Sequence, residues 1–214
     1  MQEATAKERL LKKIRKALLI KRDNPYPNLE ELPLYKESEE PLELMFAQHF
    51  TAMAGNFVFC ENEIQLLENL LAITEHEKAR KIYAWEQAIQ AILDRYEFPH
   101  YKTDTDFKNA EIGITKCEAL IARTGSIMIS NGEMAGRRLS IYPPIHVVIA
   151  YTSQLVMDLK DGFEIIKEKY ASLPSMISTI TGPSRTADIE KTLVLGAHGS
   201  KQLYLLLIDD SINI

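Results

Sequence analysis

The chain is poor in the residues that hold most redox and metal centres. Its two cysteines, Cys60 and Cys117, stand far apart in 214 residues and outside any C-x-x-C pair. They supply neither the thiolates of an iron–sulfur cluster nor those of a structural zinc, and they read as buried free thiols. The five histidines show no H-E-x-x-H spacing, so no metal site is indicated. No G-x-x-x-x-G-K-[ST] phosphate loop and no G-x-G-x-x-G run occurs, which removes nucleotide hydrolysis at a P-loop and the usual dinucleotide fingerprint. The longest apolar run, Leu203 to Ile208, falls far short of the roughly 20 residues that cross a bilayer. Met1 to Ile20 is charged throughout, unlike the apolar segment of a secretory signal. A net charge of −5 provides no general electrostatic footprint for nucleic acid or anionic lipid. Together these absences predict a cytoplasmic protein that engages neither nucleic acid nor membrane.

What is present describes an α/β domain behind an N-terminal extension. Leu10, Leu11, Ile14, Ala17 and Leu18 share one face of an amphipathic helix, opposite a basic face. Prolines and glutamates from Asn24 to Pro41 then form an extended acidic connector, dividing the chain into an extension, 1–41, and a compact domain, 42–214. Within the domain a helix from about Glu43 to Met53 precedes a β-rich run, Asn56 to Cys60, and a helix with Ile64, Leu67, Leu70 and Leu71 on one face. A strand at Lys81–Trp85, a helix carrying Ile89, Ile92 and Tyr96, and a loop from Phe98 to Phe107 follow. Ile112–Ile114 and Ser126–Ile129 read as strands flanking Ala119–Thr124, with a Gly-containing connector at Asn131–Gly136. The run Ile145–Ala150 is apolar apart from His146, which suits a parallel strand covered on both faces. A helix over Val156–Leu173 leads to strands at Met176–Thr181, Thr192–Leu195 and Leu203–Ile208. This alternation predicts a mainly parallel sheet flanked by helices, with some antiparallel pairing at one end.

The chemistry concentrates in Thr181-Gly182-Pro183-Ser184-Arg185-Thr186-Ala187-Asp188-Ile189-Glu190. Gly182 lets the backbone approach a ligand, Ser184 and Thr186 offer hydroxyls, and Arg185 offers a bidentate guanidinium, a set suited to a carboxylate or phosphate. The same residues also make a stiff turn in which Arg185 pairs with Asp188 or Glu190. Gly196-Ala197-His198-Gly199 places an imidazole between glycines, either as the candidate catalytic acid or base or as the anchor of a tight connection. Thr124-Gly125-Ser126 forms a third hydroxyl–glycine turn, and Thr124, Ser126, Arg185 and His198 are expected to converge on one pocket. His146 reads as structural. Glu111 and Glu118 are further carboxylates, read as solvated surface, and Arg137-Arg138 extends a positive rim or is simply exposed.

The run from Ile180 to Glu190, continued by Leu193-Val194-Leu195-Gly196-Ala197-His198-Gly199, resembles the C-terminal signature of the LUD (lactate-utilisation) domain family. Ile114-Thr115, Ala122-Arg123-Thr124-Gly125-Ser126 and Pro143-Pro144-Ile145-His146 stand in that family's order and approximate spacing, so the resemblance spans roughly Leu42 to Ile208. It implies a NagB/RpiA/CoA-transferase-like fold and a part in bacterial oxidation of L-lactate to pyruvate. It also implies two partner subunits that carry the iron–sulfur clusters, with no cofactor in this chain. Two positions depart from the pattern: Arg123 stands where the family has an acidic residue, and Ser200 where a proline commonly follows His-Gly.

Three functions remain open at this level. One is a non-redox subunit of a lactate-oxidising system that binds a small anion, its iron–sulfur partners, or both. A second is a stand-alone enzyme of the same fold acting on a sugar phosphate or CoA ester, for which no positioned acidic motif is evident. A third is a purely structural interaction module. The sequence has no flavin, nicotinamide or cluster motif to accept electrons, so the purified chain alone is expected not to oxidise L-lactate. Turnover by the isolated, cofactor-free protein in a dye-reduction assay would refute this.

Overall fold

The computed structural model describes residues 5–20, 35, 38–132, 137–186 and 194–211, and of 194 and 195 only the backbone. Most of the connector Asn24–Pro41, part of Asn131–Gly136, and Thr192 and Leu193 lie outside the described residues. The chain divides into two compact units, Met1–Glu39 and Glu40–Ile214.

The first unit contains helix α1, Ala6–Leu18. Its start is set by Thr5, whose hydroxyl accepts from the Glu8 N–H while the Glu8 carboxylate accepts from the Thr5 N–H. This reciprocal capping satisfies two otherwise orphaned donors. None of the helix is buried within that unit.

The second unit is built on a five-stranded, wholly parallel sheet. Its strands are β1 (Asn56–Cys60), β2 (Ile82–Ala84), β3 (Ile112–Thr115), β6 (Ile145–Tyr151) and β11 (Gln202–Ile208), in the order β1-β11-β6-β3-β2. The last strand thus inserts between the first and the sixth. Its Leu203, Leu205, Leu206 and Leu207 are all buried, each stabilising the fold by about 1.5–3 kcal/mol through removal of apolar surface from water.

Helices α3 (Glu63–His76) and α4 (Gln87–Arg95) cover one face of this sheet. The other face meets α2 (Leu42–Ala52) and a second, four-stranded sheet. That sheet contains β4 (Ala119–Ile121), β5 (Ser126–Ser130), β7 (Leu155–Val156) and β8 (Ile177–Ile180), in the order β7-β4-β5-β8. Its β4–β5 and β5–β8 pairs are antiparallel and its β4–β7 pair is parallel. Helix α5 (Leu159–Lys169) closes its outer side through Ile166 against Ile121 and Met128. A short antiparallel ribbon joins β9 (Arg185–Thr186) to β10 (Val194–Leu195).

The α/β reading therefore holds, with corrections of detail. The strands around Ser126 and Ile177 belong to the second sheet, and β4 and β7 are strands too short for a periodic signal to register. Helix α3 buries Leu66, Leu70 and Ile73, while Ile64 and Leu71 are exposed; its apolar arc, opposite Gln65, Glu68, Asn69 and His76, is wider than the buried stripe, so spacing alone does not select which edge of that arc is covered. Helix α5 starts at Leu159 because Asp158 caps it in a reciprocal pair with Asp161. Among the described residues no helix is long and apolar enough to cross a membrane. Cys60 and Cys117 are buried free thiols, and burial pushes the Cys117 thiol up.

His146 on β6 is fully buried, with Nε2 2.9 Å from the Thr115 hydroxyl. Burial lowers its pKa from 6.5 to about 3, so the fold holds it neutral. The unfolded chain takes up this proton below about pH 6.5 and the folded chain only near 3. The stability linked to His146 is complete above the first value and lost as the pH falls through that window. His146→Gln is expected to shrink the loss of stability between pH 6.5 and 4 in denaturant titrations; an unaltered pH slope would show that other groups govern acid unfolding.

Candidate ligand-binding site

Two glycine loops meet at the C-terminal end of α2. Gly125 ends the tight turn Ala122–Thr124 with φ +59°, and Gly182 follows β8 with φ +80°, a backbone region that residues with a Cβ enter at a cost. Both also sit too close to α2 to carry a side chain. A Cβ on Gly125 would strike the backbone of His49 and Phe50, and one on Gly182 the Met53 carbonyl. That carbonyl, left without an intrahelical partner at the helix end, accepts a hydrogen bond from the Arg185 guanidinium.

The packing aligns hydroxyls from both loops. Thr124 Oγ1 donates to Ser126 Oγ at 2.8 Å, and Ser126 Oγ lies 2.7 Å from Thr181 Oγ1, across 55 residues of sequence. Ser126 is buried, whereas Thr124 and Thr181 are exposed. Two hollows adjoin this chain and share Thr179 and Thr181 in their walls. The first, of about 240 Å³, is bordered by Thr181, Gly182, Ser184 and His198, with His146 also in its wall. The second, of about 530 Å³, is bordered by His49, Met53, Arg123, Thr124, Ser126 and Thr181.

Gly182, Ser184 and His198 therefore come together, as do Thr124 and Ser126, and Thr181 bridges the two groups. The single pocket expected for Thr124, Ser126, Arg185 and His198 is divided in two. Arg185 lines neither hollow; it is tied to Met53, which borders the second. Thr186 pairs with Val194 in the ribbon. Asp188 and Glu190, the other partners considered for Arg185, lie outside the described residues. The His198 loop is laced to the Ser184 loop by Ser184 N–H to Ser200 O and Gly196 N–H to Ser184 O, each 2.9 Å.

The remaining candidates are committed elsewhere. Glu118 is buried rather than solvated and accepts from Ser130 Oγ at 2.5 Å, Tyr170 Oη at 2.8 Å and Lys169 Nζ at 2.9 Å. Glu111 accepts from the N–H groups of Arg80 and Lys81 at 2.6 and 2.8 Å, and these bonds hold its carboxyl below the usual range. Arg137 donates to Ser175 Oγ at 2.8 Å, while Arg138 stacks over Phe107 and Trp85 and pairs with Asp104.

Comparison with known proteins places these residues in a family. The LUD domain matches residues 44–208. The chain belongs to the LUD-domain family. It is 33% identical over 121 residues to lactate utilization protein C of Bacillus subtilis, covering 54% of this chain and 50% of that protein. Against lactate utilization protein C of a Geobacillus strain it is 32% identical over 169 residues, 69% of this chain and 70% of the relative. An uncharacterised protein of Neisseria meningitidis is 33% identical over 144 residues, covering 66% and 61%. The chain thus spans about half to three fifths of the length of several curated relatives that it matches. The crystal structure of a DUF162 family protein from Deinococcus radiodurans shares the fold, with a TM-score of 0.55 at 17% identity, covering 78% of this chain and 96% of that one.

Within this LUD domain the two departures have visible partners. Arg123 pairs with Asp158 through Nε at 2.5 Å and Nη2 at 3.0 Å, joining the motif turn to the start of α5. The Ser200 hydroxyl donates to the Pro143 carbonyl at 2.8 Å. Sequence reasoning missed Asp158, whose capping pattern Asp158-x-x-Asp161 was a legible signal, and His49, which carried none. His49 sits in the last turn of α2, and only tertiary packing brings its Nδ1 to 2.9 Å from the Ala122 carbonyl.

Replacing Gly125 or Gly182 with alanine is expected to cost more than about 1 kcal/mol each, because the left-handed backbone and the contact with α2 both oppose a Cβ. Thermal melts of the two variants check this; an unchanged midpoint for both would mean that the loops are not wedged against the helix.

Proposed function

We propose that this LUD-domain chain is a non-redox component of a bacterial system oxidising L-lactate to pyruvate, holding a small carboxylate where its two hollows adjoin. The observation that carries the reading is the Thr124–Ser126–Thr181 hydroxyl chain, assembled from the two loops that bear the family's motifs. Hydroxyls beside left-handed glycine turns offer donors to an anion without a full opposing charge. The names of the Bacillus and Geobacillus relatives support the lactate setting. Electrons would pass to partner subunits bearing iron–sulfur clusters, in keeping with a chain that has two buried, separated cysteines. The alternative of a sugar-phosphate or CoA-ester enzyme ranks second, since among the described residues neither hollow is bordered by a carboxylate side chain.

Isothermal titration of the full chain with L-lactate, pyruvate and inorganic phosphate tests the anion site. Saturable carboxylate binding is expected, weakened more than about 5-fold in a Ser126→Ala, Thr181→Val double variant with an unshifted melting point. No binding in the parent, or equal binding in the variant, refutes the site. Anaerobic copurification with the iron–sulfur proteins encoded by neighbouring genes tests the assembly.

A further inference from the structure

The second hollow contains a group that the carboxylate reading does not use. His49 presents Nδ1 to the Ala122 carbonyl at 2.9 Å. A carbonyl only accepts, so Nδ1 carries the hydrogen, and the neutral ring keeps Nε2 as an acceptor. The carbonyl that orients the imidazole belongs to the residue before Arg123, and the Arg123 guanidinium is fixed through Nε and Nη2 by the Asp158 carboxylate. One short turn therefore sets an imidazole and a guanidinium in the wall of the same hollow.

The hydroxyl chain adds a third polar group. Thr124 donates to Ser126; between Ser126 and Thr181 either hydroxyl can donate, and where Ser126 does, the Thr181 proton is left to be given to an occupant. The wall also includes the apolar side chains of Ala52, Met53 and Leu159. The hollow is thus bordered by a guanidinium, hydroxyls, an imidazole and apolar side chains.

We propose that this hollow is a site for short 2-hydroxy carboxylates, in which Arg123 and Thr181 take the carboxylate and His49 Nε2 accepts the α-hydroxyl. The proposal rests on the carboxylate reading above and adds the discriminating group. An acceptor nitrogen rewards a ligand that brings a hydroxyl donor. It gives nothing to a bare methylene and opposes the lone pairs of a 2-oxo group, so it selects a hydroxy acid over its oxidised product.

The test is titration of the full chain with L-lactate, pyruvate and propionate, followed by the same series on His49→Phe. L-Lactate is expected to bind about 10-fold more tightly than either analogue, and His49→Phe to level the three affinities while leaving that for propionate within about 2-fold. In the unsubstituted protein the ¹⁵N shift of His49 Nε2 should respond to L-lactate and not to propionate, which reads the contact without a variant. Equal parent affinities for L-lactate and propionate, or retained preference in His49→Phe, would overturn the role of His49 while leaving a carboxylate site standing. Failure of all three to bind would overturn the carboxylate reading itself.

Discussion

The site depends on two backbone loops packing against the last turn of one helix with no side chain between them. Gly125 and Gly182 both adopt left-handed conformations and both touch α2 where a Cβ would collide. Close-packed interiors transmit such constraints without slack, so the position of α2 sets that of both motif loops. Ser126 and Thr181 then meet at hydrogen-bond distance. The Arg185 contact to Met53 ties one loop to the end of the helix, and the His49 contact to Ala122 ties the other.

That arrangement is held by two cores on opposite faces of the parallel sheet. The β3 and β6 residues Ile112, Ile114, Val147 and Ile149 enter the core beneath α3 and α4, while Val148 and Ala150 enter the one formed with α2 and the second sheet. A strand buried on both sides needs apolar residues at successive positions, as β6 and β11 have. Phe46 and Phe50, both fully buried and stacked at 5.4 Å, anchor α2 in the second core. The same helix thus joins the core to the two motif loops, and its position is decided by apolar packing on one side and by glycine contacts on the other.

Much of this was readable beforehand. The strands at Asn56, Ile145 and Leu203 and the helices at Leu42 and Gln87 follow from apolar runs and periodicity, and the glycine–hydroxyl turns at Thr124 and Thr181 stand out by composition. The buried edge of α3 was not readable, because the apolar arc of that helix is wider than the stripe its neighbours cover. Neither was the burial of Glu118: a lone glutamate looks like surface until Lys169, Tyr170 and Ser130, from 12 to 52 residues away, close over it. The role of Asp158 was half visible, its capping pattern being local and its pairing with Arg123 not.

By itself the sequence determined most of the longer elements, the LUD family and the glycine–hydroxyl turns, because periodicity, turn chemistry and motif order are properties of neighbours along the chain. Only the tertiary structure decided that the expected single pocket is two hollows sharing Thr179 and Thr181, that Arg185 caps a helix end, and that His49 joins Arg123 at the second hollow. The physical reason is that these relations run between a helix end and two loops 70 to 130 residues further on, and their geometry is set by close backbone contact rather than by any local preference.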